Sequence, residues 1–284
     1  MSIAGDGIER ERPYLAATLT LFRHSVLPVP PKDNWLHHRC CKFPPVVTLL
    51  LVSLIFAVHY GVAPADQRSW WYGRPSLGDV HWYAPLSAAL VHVGDAHAIN
   101  NAIVLALAGV GLEASEGPVR VAAVVWASAI IGFATHGAIS AAYVVGASGI
   151  VYGVTWCQLS VLALNWSEMP FRYIRLGVAL VLAAYETASY TTFLQTNMSY
   201  GAHWGGAGAG IVTGIVLVAN VRLRHFEVAL NWIGVGVYLA FVLLAAATTQ
   251  AAAAGLASLL LPVLAASAAW QTYSCSHAHS PRHR

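Results

Sequence analysis

From residue 46 onward the chain alternates long apolar runs with short polar breaks. The runs cover about 46–62, 92–112, 119–139, 148–164, 175–191, 201–221, 228–247 and 251–270. Most approach the ~20 residues that a helix needs to cross a bilayer. Only Thr248-Thr249-Gln250 divides the last two, so the end of the chain reads as one or two crossings. A helix satisfies its own backbone N–H and C=O groups, as lipid demands of a spanning segment. The pattern therefore predicts an all-α polytopic membrane protein. Residues 1–45 differ in kind. They are polar and carry Pro28, Pro30, Pro31, Pro44 and Pro45, the pattern of a loosely ordered arm.

Composition sharpens this picture. Of 284 residues, 57% are hydrophobic and 10% charged, and the mean hydropathy is +0.60. Soluble domains run near ~25% charged, so the bilayer is the expected solvent and partner. The first 45 residues mix Asp6, Glu9 and Glu11 with arginines and hold no clean apolar stretch. Neither a removable signal peptide nor a mitochondrial presequence is expected. Cys40, Cys41, Cys157 and Cys275 lack metal-finger or C-x-x-C spacing, so no disulfide framework or metal site is expected. His37-His38-Arg39-Cys40-Cys41 reads as a solvated segment beside the membrane.

Charge gives the chain a direction. With eight crossings and a cytoplasmic N-terminus, Arg68 and Arg74 fall outside and the other 13 of the 15 basic residues fall inside. The positive-inside rule selects that orientation. The net charge of +3 reflects this sidedness, and no nucleic-acid partner is expected. Residues 63–91, with Trp70, Trp71, Tyr72, Trp82 and Tyr83, read as an outer segment suited to the headgroup interface.

Polar groups inside the apolar runs are costly and are functional candidates by default. Three runs carry them near their starts. The second opens with His92, His97 and Asn101, the last two on one helix face. The fourth opens Gly146-Ala147-Ser148-Gly149, and the sixth Gly201-Ala202-His203. All three run from outside to inside. His97 precedes Leu112 by 15 residues, Ser148 precedes Leu164 by 16 and His203 precedes Val221 by 18. At 1.5 Å per residue these groups stand about 22–27 Å above the inner face, a common depth. Gly206, Gly210 and Gly214 stripe the sixth run and Gly149 and Gly153 the fourth, so close packing is expected to join Ser148 to His203.

A serine beside neutral imidazole is a potential nucleophile. His97 and Asn101, with the Ser148 backbone N–H at a helix start, would supply donors to a developing oxyanion. Tyr152, one turn below Ser148, would pack against His203. No carboxylate shares this depth in the three runs, which favours a dyad over a triad. Two plainer readings stay open here: helix packing at the small residues, and a Ser–His hydrogen bond with no chemistry.

The pattern resembles the rhomboid family of intramembrane serine proteases. His92-x4-His97-x3-Asn101, followed by Gly109 and Glu113, is similar to the family's second-helix motif. Gly146-Ala147-Ser148-Gly149 with Tyr152 is similar to its nucleophile motif, and His203-x2-Gly206-x3-Gly210 to its base-bearing helix. The resemblance covers about 46–221. It implies a six-helix catalytic core there, between a cytoplasmic arm (1–45) and one or two extra helices with a short basic tail (222–284). It implies Ser148 as nucleophile, His203 as base, and His97, Asn101 and the Ser148 N–H as oxyanion donors, with His92 structural and no cofactor. Substrates would be transmembrane helices of other membrane proteins, cut near their outer ends. The expected location is a prokaryotic cell membrane. One departure is Trp82-Tyr83, where the family usually has Trp-Arg.

Two other functions fit parts of the pattern. A catalytically inactive relative that binds membrane clients would share the fold. A proton-linked transporter would account for the 13 histidines and Glu186, but predicts polar groups in both leaflets. The final stretch has no ionisable side chain between Glu227 and the tail, so stability, client choice or assembly is the role expected of it.

Overall fold

The computed structural model describes residues 43–62, 81–140, 142–166, 169, 171–192, 199–217, 225–248 and 251–278. Expectations for the arm, for Trp70, Trp71 and Tyr72, for the Glu186 side chain and for the tail lie outside the described residues. The elements are helices throughout: α1 (Val46–Gly61), α2 (Ala84–Ser87) running into a 3₁₀ turn (Ala88–Leu90), α3 (Asp95–Glu116), α4 (Pro118–Ile139), α5 (Ser148–Leu164), α6 (Arg172–Thr192), α7 (Tyr200–Leu217), α8 (His225–Ala247), α9 (Ala251–Ser258) and α10 (Leu261–Ala278). The chain is an all-α polytopic membrane protein. Asp95–Glu116, Pro118–Ile139, Phe226–Ala247 and the α9–α10 stretch Ala253–Tyr273 are each long and apolar enough to cross a bilayer. Helices α1 and α5 are apolar but shorter, with 16 and 17 residues.

The boundaries have local causes. Helix α3 starts at Asp95, three residues later than the apolar run suggested, because Gly94 sits at φ +81° and breaks the path from His92. Gly117, at φ +88°, turns α3 directly into α4, whose first residue is Pro118. That pairing suits both residues: glycine takes left-handed backbone without strain, and proline lacks only an N–H that a helix start leaves unused. The terminal apolar run is one stretch broken at Leu259-Leu260, with Pro262 in the first turn of α10.

Glu113 explains how α1 docks. Its side chain is fully buried near the end of α3, yet it accepts the N–H groups of Val47 and Thr48, each at 2.8 Å, and the Thr48 hydroxyl at 2.7 Å. These N–H groups belong to the first turn of α1, where no carbonyl within the helix can take them and where negative charge is favoured. Gly109, one turn earlier on α3, leaves room for Thr48; a Cβ there would lie 2.8 Å from its Cγ2 and Oγ1.

Helix α7 is the pivot of the bundle, packed most extensively against α4 and α5. Both contacts run along glycine. On one face, a Cβ at Gly206 would strike the backbone of Gly149, and one at Gly210 the backbone of Gly153. On the other, a Cβ at Gly201 would lie 2.6 Å from His136 Cα, and one at Gly205 2.8 Å from the Ile131 carbonyl oxygen. Backbone meets backbone on both sides, the arrangement that short side chains permit in membranes.

The two largest apolar cores among the described residues follow from this arrangement. One joins α1, α3, α4 and α5 around Ile55, Val104, Leu105, Val124 and Val151. The other joins α4, α7, α8, α9 and α10 around Ile130, Ile131, Val216, Tyr238 and Leu264. Helix α10 also grips α7 directly: the Ser267 hydroxyl and the Gln271 amide donate to the Val216 carbonyl at 2.7 and 3.0 Å.

Candidate active site

Helix α5 spans 17 residues, about 25 Å at its rise per residue, which is shorter than the ~30 Å hydrocarbon layer. Its first residue is Ser148. The loop ahead of it, about 142–147, enters the bundle, where irregular backbone is tolerated only if protein or water satisfies it. Here protein does so. The Gly146 N–H donates to the Ala88 carbonyl at 2.9 Å, and the Ala147 N–H donates to His92 Nε2 at 3.1 Å. His92 Nδ1 lies 3.2 Å from the Leu90 carbonyl. A carbonyl only accepts, so Nδ1 carries the proton and Nε2 is free to accept. The imidazole of His92 thus ties the Ser148 loop to the segment between α2 and α3.

Gly146 has two reasons to be glycine. Its φ is +109°, and a Cβ there would lie 2.6 Å from the Cε1 of His97. The ring of His97 is pressed against this residue and also meets His92 edge-on, with centroids 4.9 Å apart. Asn101, one turn below His97, is fully buried, whereas Asn100 is 9% exposed.

The nucleophile candidate meets the base candidate directly. His203 Nε2 lies 2.8 Å from Ser148 Oγ, and both side chains are buried. Tyr152 stacks on His203 with centroids 4.5 Å apart and planes within 6°. The stack leaves the imidazole little freedom to turn away from Ser148. Gly149 makes the approach possible, since a Cβ there would lie 3.1 Å from the Ala202 carbonyl oxygen.

The sequence-predicted residues therefore form two adjoining groups. Ser148, Gly149, Tyr152 and His203 lie at the α5–α7 seam. His92, His97 and Gly146 lie where α3 meets the loop ahead of Ser148, with Asn101 a turn deeper. Trp82 stands apart, 68% exposed beside α2. Among the described residues no cluster of His, Cys, Asp and Glu has the makings of a metal site.

Three contacts were not read from the sequence. His59, near the end of α1, pairs with Asp95 at 2.8 Å and brings its ring to 6.5 Å from His92. Glu113 caps α1, as described above. His136 of α4 meets Ser199, the residue ahead of α7, with Nδ1 and Oγ 2.5 Å apart. Only Ser199 carries a local signal, as a serine just before a helix. The others depend on helix pairings that spacing alone does not give.

Comparisons with known proteins place the chain in a family. A family model described as Rhomboid domain matches residues 79–220, half of the chain. Rhomboid-related protein 3 of Homo sapiens is 30% identical over 263 residues, covering 83% of this chain and 65% of that protein. Rhomboid-related protein 2 of Mus musculus is 25% identical over 240 residues, covering 78% of this chain and 80% of that protein. Rhomboid-related protein 1 of Caenorhabditis elegans is 30% identical over 162 residues, covering 55% and 45%. The chain thus spans just under two thirds of the human relative's length, and these relatives are animal proteins. The match to half the chain takes in Ser148, His203 and every other candidate named for the site: the chain belongs to the rhomboid family.

Proposed function

We propose that this chain is an intramembrane serine endopeptidase that cuts transmembrane helices of other membrane proteins near their outer ends. The observation that carries this reading is the 2.8 Å contact between His203 Nε2 and Ser148 Oγ at a helix start. His203 takes the hydroxyl proton as Ser148 Oγ bonds to the scissile carbonyl carbon. The oxyanion that forms faces the Ser148 N–H, which has no acceptor within its own helix, together with donors from His97 and Asn101. His203 then returns the proton to the leaving amine, and water releases the acyl group by the same route in reverse. The buried start of α5 favours this chemistry, because the donors are fixed before charge develops.

The excess of arginine and lysine at one set of loops supports a cytoplasmic N-terminus, with Ser148 toward the opposite face. The test is covalent labelling of the purified chain by a fluorophosphonate, read by gel fluorescence and by mass spectrometry of the Ser148 peptide. Labelling that disappears in Ser148→Ala and in His203→Ala, each still folded, is the expected result. A folded parent chain that takes no label at Ser148 would refute the reading and leave a client-binding relative without protease activity.

A further inference from the structure

His136 and Ser199 form a second serine–histidine contact close to the first, and its partners bear on both halves of the dyad. Ser199 immediately precedes α7. Its carbonyl accepts the His203 N–H at 3.1 Å, and its hydroxyl accepts the Ala202 N–H at 3.4 Å. It is therefore the N-cap of the helix that carries His203, one turn from that residue. His136, near the end of α4, reaches Ser199 Oγ with Nδ1 and the Ala142 carbonyl with Nε2, at 2.5 and 3.0 Å. Ala142 lies in the loop that leads into Ser148, and its N–H is held in turn by the Ser140 hydroxyl at 3.1 Å.

The polarity of this chain of contacts follows from the groups in it. A carbonyl can only accept, so Nε2 of the neutral ring carries the proton. Nδ1 is then an acceptor, and the Ser199 hydroxyl must donate to it while its oxygen receives the Ala202 N–H. Each proton has one acceptor and the roles do not conflict. One imidazole thus links the start of the base-bearing helix to the loop that delivers the nucleophile. Glycine at 201 lets the two helices come this close, since a Cβ there would lie 2.6 Å from His136 Cα.

We propose that His136, acting through Ser199 and Ala142, is a positioning residue that sets the register of His203 against Ser148. This rests on the reading of those two residues as base and nucleophile. The hydrogen bonds of His136 go to Ser199 and Ala142, not to the reacting atoms. It fixes the two segments that present them.

The experiment is the kinetics of fluorophosphonate labelling at Ser148 in the full chain, separated into maximal rate and half-saturating probe concentration. Glycine is nearly as good an N-cap as serine, so Ser199→Gly removes the hydroxyl while leaving the helix start almost intact. His136→Phe keeps the ring and removes both nitrogens. Each is expected to lower the maximal rate about 10- to 10²-fold, the scale of a displacement of an ångström or less at a reacting pair. Half-saturation should not change and melting temperature should stay near the parent's. Ser199→Thr, which keeps the hydroxyl, should recover most of the rate. The double variant should label no more slowly than the slower single variant, since the two residues act as one link.

Several results would overturn the proposal. A folded Ser199→Gly that labels at the parent rate would do so. So would a threonine variant as slow as the glycine one, or losses in the two single variants that multiply in the double. If His136→Phe does not fold, the glycine and threonine variants at 199 decide the matter alone. A parent chain that takes no label at Ser148 is a different failure: it removes the protease reading itself, and this inference falls with it.

Discussion

Gly206→Ala is the most demanding test of the idea that glycine seams hold the dyad together. A Cβ at this position would lie 2.8 Å from the Gly149 carbonyl carbon, and closer still to its oxygen, where ordinary contact begins near 3.4 Å. The obstacle is backbone, so no side chain can rotate to relieve it. Packed interiors hold little slack, so α5 and α7 must part by about 1 Å. Gly206 lies three residues from His203, and Gly149 is next to Ser148. Lengthening the 2.8 Å contact between them by a similar amount takes it past the ~3.2 Å limit of a good hydrogen bond. A misplacement of that size costs on the order of 10²-fold in rate, and overpacking costs about 1–3 kcal/mol in stability. Gly208→Ala is the matched control on the same helix. Its Cβ would meet Phe241 Cζ at an ordinary 3.7 Å, so helix propensity predicts a stability gain of up to ~1 kcal/mol and no change in rate. The assay is the labelling rate at Ser148 beside a thermal melt for each variant. Equal rates in Gly206→Ala and Gly208→Ala would refute the seam as the device that sets the dyad distance.

Other expectations rest on single contacts. Asn101→Ala should lower the turnover of a transmembrane substrate about 10²–10³-fold with little change in KM, the usual loss for one oxyanion donor. Asn100→Ala should have a much smaller effect, and the reverse order would mean that the wrong asparagine has been assigned. Gly146→Ala, which meets both a φ of +109° and the His97 ring, should abolish labelling while the bundle still folds by circular dichroism. Labelling at the parent rate would show that this loop tolerates rearrangement. Ser267→Ala with Gln271→Leu removes both side-chain donors to Val216. The pair should lower unfolding stability by about 1–3 kcal/mol and leave the labelling rate per folded molecule unchanged. A slower rate in folded protein would mean that α10 shapes the site.

Periodicity and glycine spacing made the long-range partners of Ser148 legible. Three polar starts at one depth, with glycine stripes on the runs that carry Ser148 and His203, require little more than the rise of a helix to be joined. The same logic reaches Gly206 and Gly149, whose backbones do meet. It does not reach Gly201 and Gly205, which face α4 instead. A stripe says that something packs closely but does not name the neighbour. The start of α3 lies three residues inside the apolar run for a related reason: His92 and Val93 extend that run, but the positive φ of Gly94 ends helical backbone there. His92 then works from outside the helix, as a hydrogen-bond acceptor for the Ser148 loop.

Buried polar residues that brace helix starts and loops were the least legible, and their placement has a common logic. Glu113 caps α1 from a helix that begins 49 residues later in the chain. His92 takes the Ala147 N–H, and His136 reaches both Ser199 and Ala142. In each case a polar side chain borne on or beside one helix supplies what a helix start or a re-entrant loop lacks within its own segment. Lipid forbids such groups to remain unsatisfied, at a cost of several kcal/mol each. These polar side chains serve places where the backbone is irregular. The loop that presents Ser148 receives two of the three histidine contacts. Local periodicity is blind to this kind of partnership, because the need arises in one segment and is met from another. A buried polar residue without a local role is best matched to the nearest helix end with unpaired N–H groups, and only then to chemistry.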